Sequence, residues 1–331
     1  MRARLGQYLN GLLESLEMSG DRARYVRFAW GTLWFTLFVV VWGGLVSATG
    51  AGDGCGDSWP LCGELLAGSG DVSRLDTVIE LTHRLTSGMA LLAVVLMVVW
   101  ARRIYPIGHR ARFWANAGLA FMVIESLIGA ALVVFRLVDM NVSLARALIQ
   151  PVHMTNTYLL MGALGLAAWW AESRRRTTGA EPPAARLVVG ALVFVILLSM
   201  LGTTASLAST VFPSESFVEG VRADFTRDAH YLIRLRIWHP VLALGFGGYL
   251  LWLGRRLSAG HDGGPPTEFH VVAGLYGVDL AVGALDAFLL APIAIQLLHL
   301  LLAHAVWIGL VALWVRLVSD SGESDRAIAV G

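Results

Sequence analysis

Four histidines, His83, His153, His239 and His299, each sit inside a long apolar run. An ionisable side chain in hydrocarbon is costly and usually functional, and a neutral imidazole there needs a hydrogen bond or a ligand. One such histidine alone favours a bond to a neighbouring helix. Four at one depth, two in each half of the chain, favour a ligand role. Haem suits them, because histidine is a haem axial ligand and helix bundles hold cofactors between facing side chains. His83 with His153 is expected to flank one haem, and His239 with His299 another. No two of the four stand at the i, i+3 or i+4 spacing that would serve a zinc ion. His304, five residues after His299, is read as a packing histidine.

Glu80 lies three residues before His83 and shares its helical face. In the second half Arg236 occupies the place three before His239. Chemistry that needs an acid is therefore expected in the N-terminal half, with electron transfer or a structural haem in the C-terminal half. Arg84, Arg146, Arg234 and Arg236 lie near the ends of apolar runs and are candidates for pairing with haem propionates, with interfacial anchoring the plainer reading. Glu125 and Asp279 are acids well inside their runs. Their recurrence suggests a shared helix–helix hydrogen bond.

The elements that must position these residues are membrane helices. Of 331 residues 56% are hydrophobic and only 15% charged, against roughly half and about a quarter in soluble domains. A helix of about 20 apolar residues spans a bilayer. Runs at 28–50, 78–101, 112–135, 145–171, 186–208, 230–254, 268–291 and 293–317 predict eight spans. The net charge of +1 carries no basic field for nucleic acid. Leu5, Tyr8, Leu9, Leu12, Leu13 and Leu16 recur at helical spacing before the first span, which suits an interfacial amphipathic helix or a plain cytoplasmic one.

The halves repeat weakly at an offset of about 154 residues. Ile124–Gly129 parallels Val278–Gly283, His83 is echoed by His239, and His153 by His299. Gly43–Thr49 and Gly202–Ser206 share a glycine followed by small and hydroxyl residues. An even number of spans separates the copies, so the repeat is parallel, with a pseudo-twofold axis along the membrane normal. The expected architecture is an all-α integral membrane fold of two four-helix bundles. Its segments are an N-terminal stretch 1–27, a bundle 28–171, a linker 172–185, a second bundle 186–317 and a tail 318–331.

Arginines cluster in alternate loops: Arg22, Arg24 and Arg27; Arg102, Arg103 and Arg110; Arg174, Arg175 and Arg176; Arg255 and Arg256. The opposite loops are richer in acid, as in Asp53, Asp57, Glu64, Asp71 and Asp76. The positive-inside rule then puts both termini in the cytoplasm, in what reads as a prokaryotic plasma membrane. Cys55 and Cys62 fall outside, where disulfides persist; zinc would want more ligands than this pair offers.

Several motifs, taken in order, resemble the haem A synthase family over about residues 28–317. Gly43-Gly44-Leu45-Val46 and Thr49-Gly50-Ala51-Gly52 end the first span. Cys55 to Cys62, enclosing Trp59-Pro60, follows outside. Glu80-Leu81-Thr82-His83-Arg84, His153, His239 and Gln296-Leu297-Leu298-His299 complete the set. The resemblance implies oxidation of the C8 methyl of haem O to a formyl group by successive hydroxylations, giving haem A for terminal oxidases. It implies that His83 and His153 bind the substrate haem and that Glu80 is the catalytic carboxylate. It implies that His239 and His299 ligate a haem b cofactor and that Cys55 and Cys62 form a disulfide. Haem O synthase is the upstream partner it suggests; the electron donor and self-association stay open. Where the family often has Arg after the Gly-Gly stretch, this chain has Ser47. Two other functions compete: a bis-His di-haem electron carrier of the quinol–cytochrome type, and, less well supported, a transporter built on a parallel repeat.

Overall fold

The computed structural model describes residues 2–56, 58–60, 62, 74–173, 182–259 and 264–330, with side chains over 20–319 of these. Asp57, Glu64, Asp71 and Arg174–Arg176 lie outside the described residues, as do the side chains of Leu5, Tyr8, Leu9, Leu12, Leu13 and Leu16. The described residues are helical and contain no strand.

The first half holds α1 (Arg2–Thr49), α2 (Arg74–Ile104), α3 (Arg110–Val134) and α4 (Leu144–Glu172). The second holds α5 (Pro183–Val211), the short α6 (Phe217–Asp224) and α7 (Tyr231–Arg236), α8 (Trp238–Ser258), α9 (Thr267–Phe288) and α10 (Ile293–Val330). Ends follow local chemistry. His109 and Ser143 accept backbone N–H groups at the starts of α3 and α4, and Pro183 opens α5, where its missing N–H costs nothing. α1 and α10 extend beyond the expected spans as single helices, since no proline interrupts either. The short α6 was not foreseen: Ser216 caps it by accepting from Glu219 N–H.

Among the described residues, seven helical stretches are long and apolar enough to cross a membrane: Gly20–Thr49, Arg74–Ile104, Arg110–Val134, Pro183–Val211, Tyr231–Ser258, Thr267–Phe288 and Ile293–Ser319. α4 matches the expected fourth span in position and has 29 residues. Its apolar character is diluted by Arg146, Gln150, His153, Thr155, Asn156 and Thr157. It is also the most enclosed helix, packed on α1, α3, α5 and α10, with Tyr158 and Leu160–Ala168 largely buried. A helix walled by protein on several sides needs little apolarity of its own.

The outer faces are apolar instead. α2 exposes Leu85, Met89, Leu92, Leu96 and Val99 at helical spacing, and α8 exposes Leu244 and Leu251. A surface of this kind is disfavoured in water and suited to lipid. At one end of the bundle Arg22 donates from Nε to Ala171 O (3.0 Å) and from Nη2 to Ser173 O (3.1 Å), while Tyr105 Oη also donates to Ala171 O (3.0 Å). These groups satisfy carbonyls that the end of α4 leaves unpaired.

The turns after α3 and α9 are the same turn. Leu137 N–H bonds Leu132 O at 2.7 Å, and Ala291 N–H bonds Asp286 O at 2.8 Å. Arg136 and Leu290 both take positive φ, 53° and 64°. Each turn lies at the same place in its half and sends the next helix back along the bundle.

Candidate functional site

One cavity of about 1180 Å³ runs through the bundle and is lined by His83, His153, His239 and His299 together. It exceeds the usual range of roughly 300–1,000 Å³ for a pocket that holds one small ligand. Each histidine reaches it from a different helix: α2, α4, α8 and α10.

Glycines determine how the rings sit. A Cβ on Gly43 would lie 2.9 Å from His83 Cε1, and one on Gly202 would lie 2.9 Å from His239 Cε1. The shared glycine of α1 and α5 is therefore the floor beneath an imidazole in each half. His239 Nδ1 stands 3.2 Å from Leu198 O. The buried Nδ1 atoms of His83, His153 and His299 have no hydrogen-bond partner.

His239 and His299 face each other with ring centroids 6.1 Å apart and planes at 73°. Metal–imidazole bonds of about 2.0–2.1 Å on both sides of one ion, with the ring radius added at each end, give a centroid separation of about 6 Å. The separation of the two rings leaves the room that one metal ion between them needs, and both line a cavity larger than one small ligand requires.

A carboxylate from a neighbouring helix approaches one ring in each half. Glu125 Oε1 on α3 is 3.5 Å from His153 Nδ1, and Asp279 Oδ1 on α9 is 2.8 Å from His299 Nδ1. A glutamine three residues before each of these histidines meets the serine four residues after the glycine floor. Gln150 Nε2 donates to Ser47 Oγ at 3.2 Å, and Ser206 Oγ donates to Gln296 Oε1 at 3.5 Å. Ser47 is thus the hydroxyl of a repeated cross-helix pair.

Glu80 is 3% exposed and lines the cavity. Its Oε2 accepts Cys55 N–H at 2.7 Å. Its Oε1 accepts Arg84 Nε at 3.1 Å and Nη2 at 2.5 Å. Arg84 Nη1 also donates to Ser58 O. Cys55 and Cys62 are joined in a disulfide. Thr77 Oγ1 donates to Gly54 O at 2.7 Å, which seats the same loop on α2. The carboxylate is therefore held from one side by its own helix and from the other by the disulfide loop. Trp59 and Pro60 of that loop line the cavity as well.

The four arginines separate. Arg84, Arg146 and Arg236 line the cavity. Arg146 Nη1 donates to the carbonyls of Asp139 and Asn141 and so ties the α3–α4 turn. Arg236 pairs with Asp224 of α6 at 2.7 Å and donates to Gly220 O at 2.8 Å. Arg234 is exposed and is not among the lining residues. His304 does not line the cavity: it is fully buried, stacked on Tyr158 at 4.4 Å, with Nδ1 2.9 Å from Leu300 O.

Asp286 is a cavity residue that sequence reasoning missed; its Oδ1 is buried without a partner. It stands seven residues after Asp279, hence on the same helical face, and that spacing was a usable signal.

The family model described as cytochrome oxidase assembly protein, COX15-CtaA, matches residues 69–311. A Thermus thermophilus protein named protoheme IX farnesyltransferase is 42% identical over 294 residues, covering 86% of this chain and 47% of the relative. A heme A synthase of Geobacillus kaustophilus is 44% identical over 111 residues, 33% of each chain. One of Shouchella clausii is 38% identical over 112 residues, 33% of this chain and 35% of the relative. The chain spans about half the length of the Thermus relative and a third of the others.

Proposed function

The chain belongs to the COX15-CtaA family of cytochrome oxidase assembly proteins, and on that premise we propose that it is a haem A synthase, oxidising the C8 methyl of haem O to a formyl group. The observation that carries the reading is the asymmetry of two otherwise repeated sites. Both halves present a histidine pair to one cavity, and only the first has a carboxylate, Glu80, one helical turn from its histidine.

In this reading His83 and His153 bind the substrate haem, and His239 and His299 hold a resident haem b. Haem supplies the redox chemistry when bound; the protein's own residues orient it and manage protons. Gly43 and Gly202 let the two imidazoles approach their neighbouring helices. Glu80, clamped at Oε1 by Arg84 and at Oε2 by Cys55 N–H, holds its carboxylate at a fixed place beside the substrate, where it would accept or return a proton. Arg84, Arg146 and Arg236 offer guanidinium groups to the propionates. Arg234, being exposed, is withdrawn from that role.

The fold in this reading is two pseudo-twofold-related bundles, 28–171 and 186–317, of four spans each, with α4 crossing alongside the seven more apolar helices. The repeated α3–α4 and α9–α10 turns support it. Both termini lie in the cytoplasm of a prokaryotic plasma membrane. The upstream partner is a haem O synthase. Relatives named protoheme IX farnesyltransferase, which this chain matches over only 47% of their length, support a link to farnesyl transfer.

The test is turnover of haem O by the purified wild type and by Glu80→Ala. The wild type is expected to yield the formyl product, and Glu80→Ala to bind haem but yield none. Full activity in the variant removes Glu80 from the reaction.

A further inference from the structure

We propose that the two repeated histidine pairs are built for opposite tasks: Asp279 positions His299 as a firmly held ligand, whereas Glu125 leaves His153 loosely held, so that the C-terminal site retains its haem and the N-terminal site exchanges it. The proposal rests on the haem-binding reading above and assigns the difference to particular residues.

Two independent observations carry it. The first is how each carboxylate is shared. Asp279 Oδ1 lies 2.8 Å from His299 Nδ1, within ion-pair distance, and neither atom is engaged in a hydrogen bond elsewhere that would draw it away. Glu125 Oε1 is 3.5 Å from His153 Nδ1, and its oxygens are already taken: Oε2 accepts Asn156 Nδ2 at 2.5 Å and Oε1 accepts Thr157 Oγ1. Asn156 and Thr157 stand three and four residues after His153. The residues three and four after His299 are Leu302 and Ala303, which offer no donor. The competing hydrogen bonds are thus written into one copy of the repeat and absent from the other.

The second observation is steric. Gly283, one turn after Asp279, lies so close to His299 that a Cβ there would be 2.8 Å from Cε1. Gly129, one turn after Glu125, has nothing within 4 Å of the same position. His299 is wedged between a carboxylate and a helix backbone; His153 has room on the corresponding side.

An Nδ1–H directed at a carboxylate fixes the tautomer that leaves Nε2 for the metal, orients the ring and raises its basicity as a ligand. Loss of such a partner typically lowers metal affinity by about 10–100-fold. The same chemistry, weakened, suits a site whose haem must leave after reaction.

The experiment uses the full chain loaded with haem, in wild type, Asp279→Asn, Glu125→Gln and Ala303→Thr. Transfer of haem to an excess of apo-myoglobin reads retention, and a redox titration with low-temperature EPR reads the ligand field of the low-spin haem. Asp279→Asn is expected to weaken retention of the C-terminal haem by roughly 10–100-fold and to raise its midpoint potential, while Glu125→Gln changes retention by less than about threefold. Ala303→Thr, at the place equivalent to Thr157, supplies the competing hydroxyl and is expected to move retention in the direction of Asp279→Asn. An unchanged potential and unchanged retention in Asp279→Asn overturn the proposal, as does a larger loss in Glu125→Gln. A wild type that binds no haem overturns the haem reading instead.

Discussion

Glycine positions, more than the histidines themselves, govern where the imidazoles can stand. His83 and His239 rest on Gly43 and Gly202 at distances that admit no Cβ. Gly202→Ala is therefore expected to displace the His239 ring and abolish the bis-histidine low-spin spectrum of the C-terminal site. Gly248→Ala, where nothing lies within 4 Å, serves as the control and leaves the spectrum intact. Optical and EPR spectra of the two variants check this; a normal spectrum in Gly202→Ala would mean that the helices part to accommodate the methyl. At this scale residue type and recurrence revealed the four histidines, Glu80 and the cysteine pair, because charge or sulfur in an apolar chain stands out. The partners were hidden. That Asp279 meets His299, or that Gln150 meets Ser47, depends on how separate helices pack against each other, which spacing along one helix does not encode. Arg236 differs from Arg234 in the sequence only by standing three residues before His239, and placement on α7 then separates the exposed Arg234 from the cavity residue Arg236.

Helices were legible at nearly all their ends, since apolar runs and capping residues are local signals. α4 is the instructive case. Its polar residues lower its apolarity, yet they are what a helix at the centre of the site must carry. Its C-terminal end is held by Arg22 and Tyr105, and charge-assisted hydrogen bonds contribute about 1.5–3 kcal/mol each when well formed. Arg22 is only half-buried, so solvent will serve part of the vacated carbonyls and the lower end of that range applies. Arg22→Ala is expected to lower the midpoint of thermal unfolding in detergent without changing the haem spectrum. An unchanged midpoint would show that water replaces the guanidinium fully. The repeated positive-φ turn after α3 and α9 went unseen because neither copy uses glycine at the left-handed residue, the usual sign of such a turn.

For the whole molecule, the proposed orientation, with both termini in the cytoplasm, puts Cys55 and Cys62 outside the membrane. A membrane-impermeant maleimide added to intact cells is expected to label Cys55 and Cys62 only after reduction; labelling confined to inverted vesicles would reverse the assigned topology. The weak repeat in the sequence reappears locally as matched glycine floors, matched glutamine–serine pairs and matched turns, so the recurrence of these residues was readable without the fold. The unequal hold on His153 and His299 was not, because it lies in which donors surround each carboxylate. The central claim is that one half keeps a haem while the other receives a different one. The most direct measurement is the extracted haem content and optical spectrum of the purified protein, with and without a co-expressed haem O synthase. Low-spin haem b alone, joined by haem O or haem A on co-expression, is the expected result. Two equivalents of haem b that do not change on co-expression would contradict it and leave a di-haem electron carrier.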